Sequence, residues 1–191
     1  MKKDDSDAPD QVRSAADIAI RSIIISSVVT CAYDNTQKNA VVNWLKKESL
    51  WKFVSPDEKK FLSNSKEDEK ACIRFSWKLE TLVPLMWSIG KIKKLQPLDR
   101  KCDTDEMQKA MIFSPSSTAA YVTTAKLMPE KKILSEYEKV YQAHWKIKDA
   151  GLHDKKVPKN LDPGVVYERH YAFNWLIGYR GQEWDDITTD T

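Results

Sequence analysis

The segment Asp162-Pro-Gly-Val-Val-Tyr-Glu-Arg-His-Tyr-Ala-Phe-Asn-Trp-Leu-Ile-Gly-Tyr179 predicts a helix that other helices surround. Asp162 is a suitable N-cap, and Pro163 fits the first helical position because the N–H that it lacks would be unpaired there anyway. Helical spacing puts aliphatic and phenyl side chains on one arc and larger aromatic side chains on the opposite arc (Val165, Val166, Phe173, Leu176 and Ile177; Tyr167, Tyr171 and Trp175). A helix that is apolar on all sides is normally buried among others.

Four polar residues interrupt this apolar surface: Glu168, Arg169, His170 and Asn174. They are either internal hydrogen-bonding struts or the floor of a binding site. Arg169 falls among aliphatic residues, where an unpaired charge is costly, so it requires an acidic partner. The candidate partners are Glu80, Asp103, Asp185 and Asp186, and Glu168 requires a basic partner for the same reason.

Helical periodicity extends over the rest of the chain and predicts an all-α fold, a single-domain bundle of seven or eight helices around this C-terminal helix. Residues 1–11 are expected to be a frayed N-terminus, and residues 12–191 form the domain. The β-branched run within residues 12–33 suits a strand by propensity, but its helical spacing favours a helix. A second helix is predicted from a Thr36 cap to Lys47, with Lys38 facing outward. Ser55-Pro-Asp-Glu58 is a capping box that starts a short helix.

The clearest periodicity runs from Cys72 to Ile89 and predicts one helix, kinked by Pro84 and ended by Gly90. Further helices are predicted from Asp103 to Met111, from Ser114 to about Leu127, and from Pro129 to Gly151. The side chains predicted to be buried are Cys72, Phe75, Leu79, Leu82, Met86, Tyr137, Val140, Phe173, Trp175 and Ile177.

The composition is typical of an ordinary globular protein, with 31% charged residues, 41% hydrophobic residues and a net charge of +3 over 191 residues. Basic residues are not interleaved with aromatics, so nucleic-acid binding is not expected. The most hydrophobic run, residues 18–29, is too short to span a bilayer and contains Arg21. The N-terminus does not resemble a signal peptide, and three widely spaced cysteines fit reduced thiols. These features predict a cytoplasmic protein without membrane association.

The sequence contains no glycine-rich phosphate loop, no His-Glu-x-x-His and no Cys-x-x-Cys, so no cofactor is predicted. His144 and His170 both lie on apolar helical faces and would approach each other if their helices pack together. With Asp185 they are the candidate metal ligands, and Glu168, His170 and His144 are the candidate catalytic residues if the protein is an enzyme. The alternative is a pair of core histidines with a structural role.

The chain end, residues 182–191, places Trp184 and Ile187 between acidic residues. A freely solvated tail gains nothing from such apolar side chains, so this tail is expected to dock. Asp185 or Asp186 would then be available to pair with Arg169. The residues predicted to bind a partner are Arg169, Asn174, Trp184, Asp185 and Asp186.

Several short motifs occur in an order that resembles the bacterial family catalogued as domain of unknown function 4272. The longest of these motifs are residues 163–179 and Trp184-Asp-Asp-Ile-Thr-Thr-Asp-Thr191, and His144-Trp145 precedes them. The resemblance covers roughly residues 20–191. The family pattern has Arg at the position of Lys148 and Asn at that of Asp162, and a lysine cannot make the bidentate contact of an arginine. The resemblance implies a bacterial, cytoplasmic setting but no mechanism.

Two functions follow from these observations. The first is a non-enzymatic protein-binding module, adaptor- or immunity-like, whose partner is another bacterial protein. It rests on the missing catalytic motifs and on an aromatic-rich helical body. The second is a metal-dependent, hydrolase-like enzyme that uses a His/Glu/Asp cluster. The first is favoured, although a net charge of +3 weakens the immunity variant, because inhibitors of basic toxins are usually acidic.

Overall fold

The computed structural model describes residues 11–64, 68–110 and 118–191, and this part of the chain is helical without strands. The α-helices, numbered in chain order, are α1 (Ala15–Tyr33), α2 (Lys38–Lys47), α3 (Pro56–Ser63), α4 (Glu69–Ser76), α5 (Leu79–Ser88), α6 (Thr104–Ala110), α7 (Thr118–Thr123), α8 (Glu130–Leu152) and α9 (Pro163–Leu176). The all-α, single-domain prediction is confirmed. The predicted frayed N-terminus (apart from residue 11) and the predicted helix start at Ser114 lie outside the described residues.

Helix α1 confirms the choice of helix over strand for the first apolar stretch. Ser14 caps it by accepting a hydrogen bond from the Asp17 N–H. The helix is long and apolar enough to cross a membrane, although most of it is buried within the protein. The expectation that this segment is too short to span a bilayer is therefore wrong. Its burial against other helices is what is expected of a core helix.

The second helix starts later than predicted, because a different residue caps the chain at this point. Asp34 accepts from the Thr36 N–H and starts a 3-10 turn over Asn35–Gln37, after which α2 begins at Lys38. The prediction that Lys38 faces outward is wrong. Its ammonium lies 4.1 Å from the centre of the Phe61 ring and donates to the Asn64 carbonyl, so the side chain is buried.

The single helix predicted from Cys72 to Ile89 is two helices, α4 and α5. The chain turns at Trp77 and Lys78, where the amides of Lys78, Glu80 and Thr81 bond three residues back instead of four. Both turn residues keep right-handed helical angles, so the apolar spacing continues through the turn and conceals it in the sequence. Gly90, with φ +73°, ends α5 as predicted.

The interior is shared by three nearly buried helices, α1, α5 and α9. Helix α5 packs against both α1 and α9, and α8 packs mainly on α9. Capping confirms the predicted start of α9, since the Asp162 carboxylate accepts from the amides of Gly164 and Val165. Eight of the ten side chains predicted to be buried are buried, and Cys72 and Tyr137 are partly exposed. Tyr167 is 42% exposed, so α9 is not enclosed on every side.

Candidate functional site

An open cleft of about 780 Å³ lies where α1, the start of α3 and the chain end meet. Ionisable side chains of both signs line it, together with two indoles; its charged residues are Arg13, Asp17, Arg21, Lys52, Asp57, Lys59, Glu183, Asp185 and Asp186. Three of the predicted binding residues, Trp184, Asp185 and Asp186, are thus brought together here. This cleft is the candidate site.

A buried ion pair lies beneath the cleft, and its arginine, Arg21, lines the cleft floor. Arg21 of α1 donates from Nη2 to both carboxylate oxygens of Glu58, at 2.5 Å each. The two side chains are only 6% and 3% exposed. The guanidinium also lies 4.8 Å from the centre of the Trp184 ring, which couples the floor to the chain end. Removing two charges from water is tolerated only with close pairing and further hydrogen bonds, so this geometry must be held firmly.

Glu58 has a second role that fixes its position. Its carboxylate accepts from the Ser55 N–H at 2.9 Å, and the Ser55 hydroxyl accepts from the Glu58 N–H at 3.4 Å. This is the reciprocal capping box predicted from the sequence. The same carboxylate therefore starts α3 and neutralises Arg21, so α3 is anchored to α1 at the cleft.

The chain end forms one wall of the cleft and is docked, as predicted. The Tyr171 hydroxyl donates to the Trp184 carbonyl, and Asn174 Nδ2 donates to the Thr188 carbonyl at 2.7 Å. Burial raises the pKa of Tyr171, which keeps its hydroxyl a hydrogen-bond donor. Trp184 is consequently 5% exposed.

The acidic residues of the tail do not reach Arg169, which contradicts the predicted contact. Asp185 instead accepts from the backbone N–H of Asp57 at 2.9 Å, at the lip of the cleft. Arg169 pairs with Glu80, another of the predicted candidates, through Nη2 at 2.9 Å and Nε at 3.2 Å. It also donates from Nη1 to the carbonyls of Gln96 and Pro97.

Arg169 and Glu168 are therefore internal struts. Glu80 accepts from the Cys102 amide at 2.7 Å, which ties the connector after α5 to α9. Burial, with the nearby Glu80 carboxylate, raises the pKa of the Cys102 thiol to about 12. Glu168 receives Lys78 Nζ at 2.9 Å, from the turn between α4 and α5. Neither carboxylate faces the cleft.

The two predicted histidines do meet, as α8 packs on α9. Their Nδ1 atoms are 2.7 Å apart, so one neutral imidazole donates and the other accepts. Burial and the neighbouring His144 lower the pKa of His170 to about 4, and burial with nearby Lys148 lowers the pKa of His144. Both rings are thus neutral at pH 7.

The three candidate metal ligands, His144, His170 and Asp185, are not brought together. Asp185 lies at the cleft beside Asp57 and not beside the imidazoles. Within the part of the chain that the structure describes, no group of three or more His, Cys, Asp or Glu side chains is placed to hold a metal ion. The pair has the surroundings of core histidines, with Tyr141 and Tyr167 edge-on to the rings.

Arg21 and Glu58 are site residues that sequence reasoning did not assign. Both carry a signal in the sequence: Arg21 is an isolated charge in an apolar helical run, and Glu58 occupies the N3 position of a capping box. An isolated charge in a buried helix requires a partner, as was recognised for Arg169. The sequence could not specify the partner, because the two residues lie 37 positions apart.

The family model for a domain of unknown function, DUF4272, matches residues 4–187. The chain belongs to the DUF4272 family. The match covers both walls of the cleft and all of α9, so the site described above lies within the DUF4272 domain. Comparison with curated proteins and with solved structures gives no match.

Proposed function

We propose that this DUF4272 protein is a cytoplasmic, non-enzymatic protein-binding module, adaptor- or immunity-like, and that its cleft takes an extended segment of a partner protein. The observation that carries the proposal is the distribution of charge in the cleft. Lys52 and Lys59 border it on the side of α3, and Glu183 and Asp186 border it on the side of the chain end. A segment with both acidic and basic side chains complements such a cleft.

The bordering charges are available for a partner. Among the described residues, the side chains of Lys59, Glu183 and Asp186 have no hydrogen-bond or ion-pair partner, and Lys52 only stacks on Phe53. Phe53 is 44% exposed at the lip and adds an apolar contact of the kind that interfaces favour.

The floor of the cleft is rigid before any partner arrives. Arg21, Glu58 and Trp184 are all buried, and they fix one another through the ion pair and the stacked ring. A preformed site avoids the entropic cost of ordering on binding, which supports recognition of a flexible segment.

The enzymatic alternative receives less support from the same geometry. Catalytic acid–base work requires titratable groups beside a place for substrate, and the neutral histidine pair lies inside the α8–α9 contact. Glu168 is occupied by Lys78, away from that pair. The residues named for catalysis are therefore divided between two interior contacts.

Photo-crosslinking in the native host tests the proposal. Benzoylphenylalanine replaces Phe53, and adducts formed on irradiation are identified by mass spectrometry. One protein should be captured reproducibly, and the double substitution Lys52→Glu, Lys59→Glu should reduce that adduct by about tenfold or more.

The matched control is Lys93→Glu, Lys94→Glu, which reverses two exposed lysines outside the cleft. It makes the same change in net charge and should leave the adduct unchanged. No specific adduct, or equal loss in both double variants, would refute the proposed cleft. Hydrolase activity that depends on His144, His170 and Glu168 would instead establish the enzymatic alternative.

A further inference from the structure

Helix α8 presents a line of partly exposed side chains, in which Tyr141 also lies edge-on to the buried His170 ring. The line consists of Leu134, Glu138, Tyr141, Trp145, Lys148 and Leu152, and we call it the α8 stripe. Leu134 is 40% exposed, Trp145 47% and Leu152 82%, which is high for such apolar residues. The spacings of four and three alternate from Leu134 to Leu152, which is the heptad pattern of a helix that packs against another helix.

The stripe lies beside the face of α8 that is already in use. Ile133, Val140 and His144 are buried, and α8 packs mainly on α9. The motif His144-Trp145 thus places one side chain inside the protein and leaves the next half in solvent. Tyr167 of α9 is 42% exposed, lies edge-on to His144 and widens the apolar patch.

Two copies of the α8 stripe that run in opposite directions would match residue by residue. Leu134 corresponds to Leu152, Tyr141 to Trp145, and Glu138 to Lys148, each pair being symmetric about position 143. We propose that the α8 stripe is the contact surface of an antiparallel homodimer, with a two-fold axis beside position 143. Leucine would then meet leucine at both ends, with paired aromatic residues near the centre.

Charge supports a second copy of this chain, and the antiparallel direction, over other arrangements. Glu138 of each copy would face Lys148 of the other, giving two opposite-charge pairs per dimer. A parallel pair would instead set glutamate against glutamate and lysine against lysine. Lys148 has no ion-pair partner within the described chain, so its charge is free for this contact.

The residues that flank the α8 stripe would not bring like charges together. Ser135, Gln142 and Asp149 flank it at heptad spacing. In the antiparallel dimer, Ser135 of one copy would lie beside Asp149 of the other, and Gln142 beside Gln142. The stripe is about 27 Å long at 1.5 Å per residue. It shares no residue with the cleft, so the dimer is independent of the proposed function.

Sedimentation velocity over a range of concentrations tests the dimer. The wild-type chain should sediment as a dimer at about 100 µM and dissociate on dilution. Glu138→Lys alone or Lys148→Glu alone sets like charges against each other twice per dimer, and each should raise the dissociation constant by about tenfold or more. The double variant restores both opposite-charge pairs in swapped positions, so its dissociation constant should return to within about threefold of the wild-type value.

The matched control is Lys146→Glu, an exposed lysine on the same helix but outside the stripe, which should leave dimerisation unchanged. Circular dichroism confirms that each variant keeps its helix content. A wild-type chain that stays monomeric at about 100 µM overturns the proposal. So does a double variant that is no better than the single ones, since only antiparallel pairing of these two positions predicts the rescue.

Discussion

Buried charges decide how the helices of this protein are joined. Three nearly buried ion pairs each connect residues that are distant in sequence: Arg21 with Glu58, Lys78 with Glu168, and Glu80 with Arg169. A buried cation is tolerated only opposite its carboxylate, because an unpaired charge in the interior is costly. The three pairs therefore join α1 to α3, and join α5 and the turn before it to α9.

The pair under the cleft gives a prediction for single substitutions. Glu58→Gln keeps the size of the side chain but leaves the Arg21 cation buried without a counter-charge. It should lower the free energy of unfolding in urea by about 3 kcal/mol or more. Adding Arg21→Met should recover part of that loss, because the unpaired charge is then gone.

The control for this prediction is Asp57→Asn, which breaks an ion pair with Arg74 whose side chains are 53% and 54% exposed. Water already solvates both charges, so the loss should stay below about 1 kcal/mol. Similar losses at Glu58 and Asp57 would show that burial of the Arg21 pair is unimportant.

The histidine pair gives a prediction for pH. The pKa of His170 is lowered to about 4 in the folded chain, from 6.5 when unfolded, and the pKa of His144 is lowered as well. The unfolded chain therefore binds more protons below pH 6.5, and stability falls as pH decreases from about 6.5 towards 4. For His170 the loss approaches about 3 kcal/mol at the acid end.

Urea unfolding at a series of pH values measures this slope. In His170→Gln the decline between pH 6.5 and 4 should be clearly shallower, since one of the shifted groups is removed. The matched control is His153→Gln, which replaces an exposed histidine that contacts Asp149 at the end of its own helix. Equal slopes in all three proteins would show that other groups cause the acid sensitivity.

At the scale of helices, the sequence predicts caps and apolar faces well and turns poorly. Ser55, Asp162 and Gly90 act as their residue types require, because capping is a local interaction. The turn at Trp77 and Lys78 escapes prediction because right-handed angles preserve the apolar spacing across it. Periodicity reports which face is buried, and it does not report whether the axis changes direction.

The docked chain end was predicted correctly as an element, but its contacts were not. The sequence shows that Trp184 requires burial and that Arg169 requires a carboxylate, and proximity along the chain suggested one contact for both. The structure divides them: Trp184 stacks on Arg21, and Arg169 binds Glu80. Pairing between distant elements depends on packing geometry, which a single sequence does not contain.

Because Trp184 and Arg169 have separate partners, deletion of the chain end should change the free energy of unfolding independently of Arg169. Removing residues 182–191 exposes the partners of Trp184 and Thr188 and should cost about 3 kcal/mol or more, the scale for losing a buried tryptophan. The tail and Arg169 share no partner, so their effects should add. A thermodynamic cycle with the milder changes Trp184→Leu and Arg169→Lys, measured in urea, should show a coupling within about 0.5 kcal/mol.

A large coupling in that cycle would contradict the division. It would mean that the chain end and Arg169 stabilise each other after all, as the sequence alone suggested. Tyr33→Ala serves as the control, because it removes an aromatic side chain that is 66% exposed and should change stability little.

Across the whole molecule, the first described residues and the last helix are joined at the cleft. Arg13 donates from its backbone amide to the Leu176 carbonyl, and its side chain donates to the carbonyls of Trp175 and Gln182. Its guanidinium also lies 4.4 Å from the centre of the Trp175 ring. The cleft therefore depends on this junction for its shape, and no pattern within either terminal segment indicates it.

Two glycines isolate the contribution of this junction, because both have φ angles that favour glycine and only one is crowded. Gly178 (φ +70°) would place a Cβ 2.6 Å from the Gln11 carbonyl oxygen, whereas Gly181 (φ +63°) has nothing within 4 Å. Alanine at Gly181 should cost about 1 kcal/mol, from backbone strain alone. Alanine at Gly178 carries the same strain and must also displace the backbone at Gln11, so its loss in urea unfolding should exceed that of Gly181→Ala by about 1 kcal/mol or more.

The Arg13 amide should then exchange its hydrogen faster in Gly178→Ala only, because the displaced segment loses its bond to Leu176. If both alanine variants lose the same stability and protect the Arg13 amide equally, the segment at Gln11 is not held to the end of α9 at Gly178, and the wall of the cleft is fixed by the contacts of residues 182–191 with Tyr171 and Asn174.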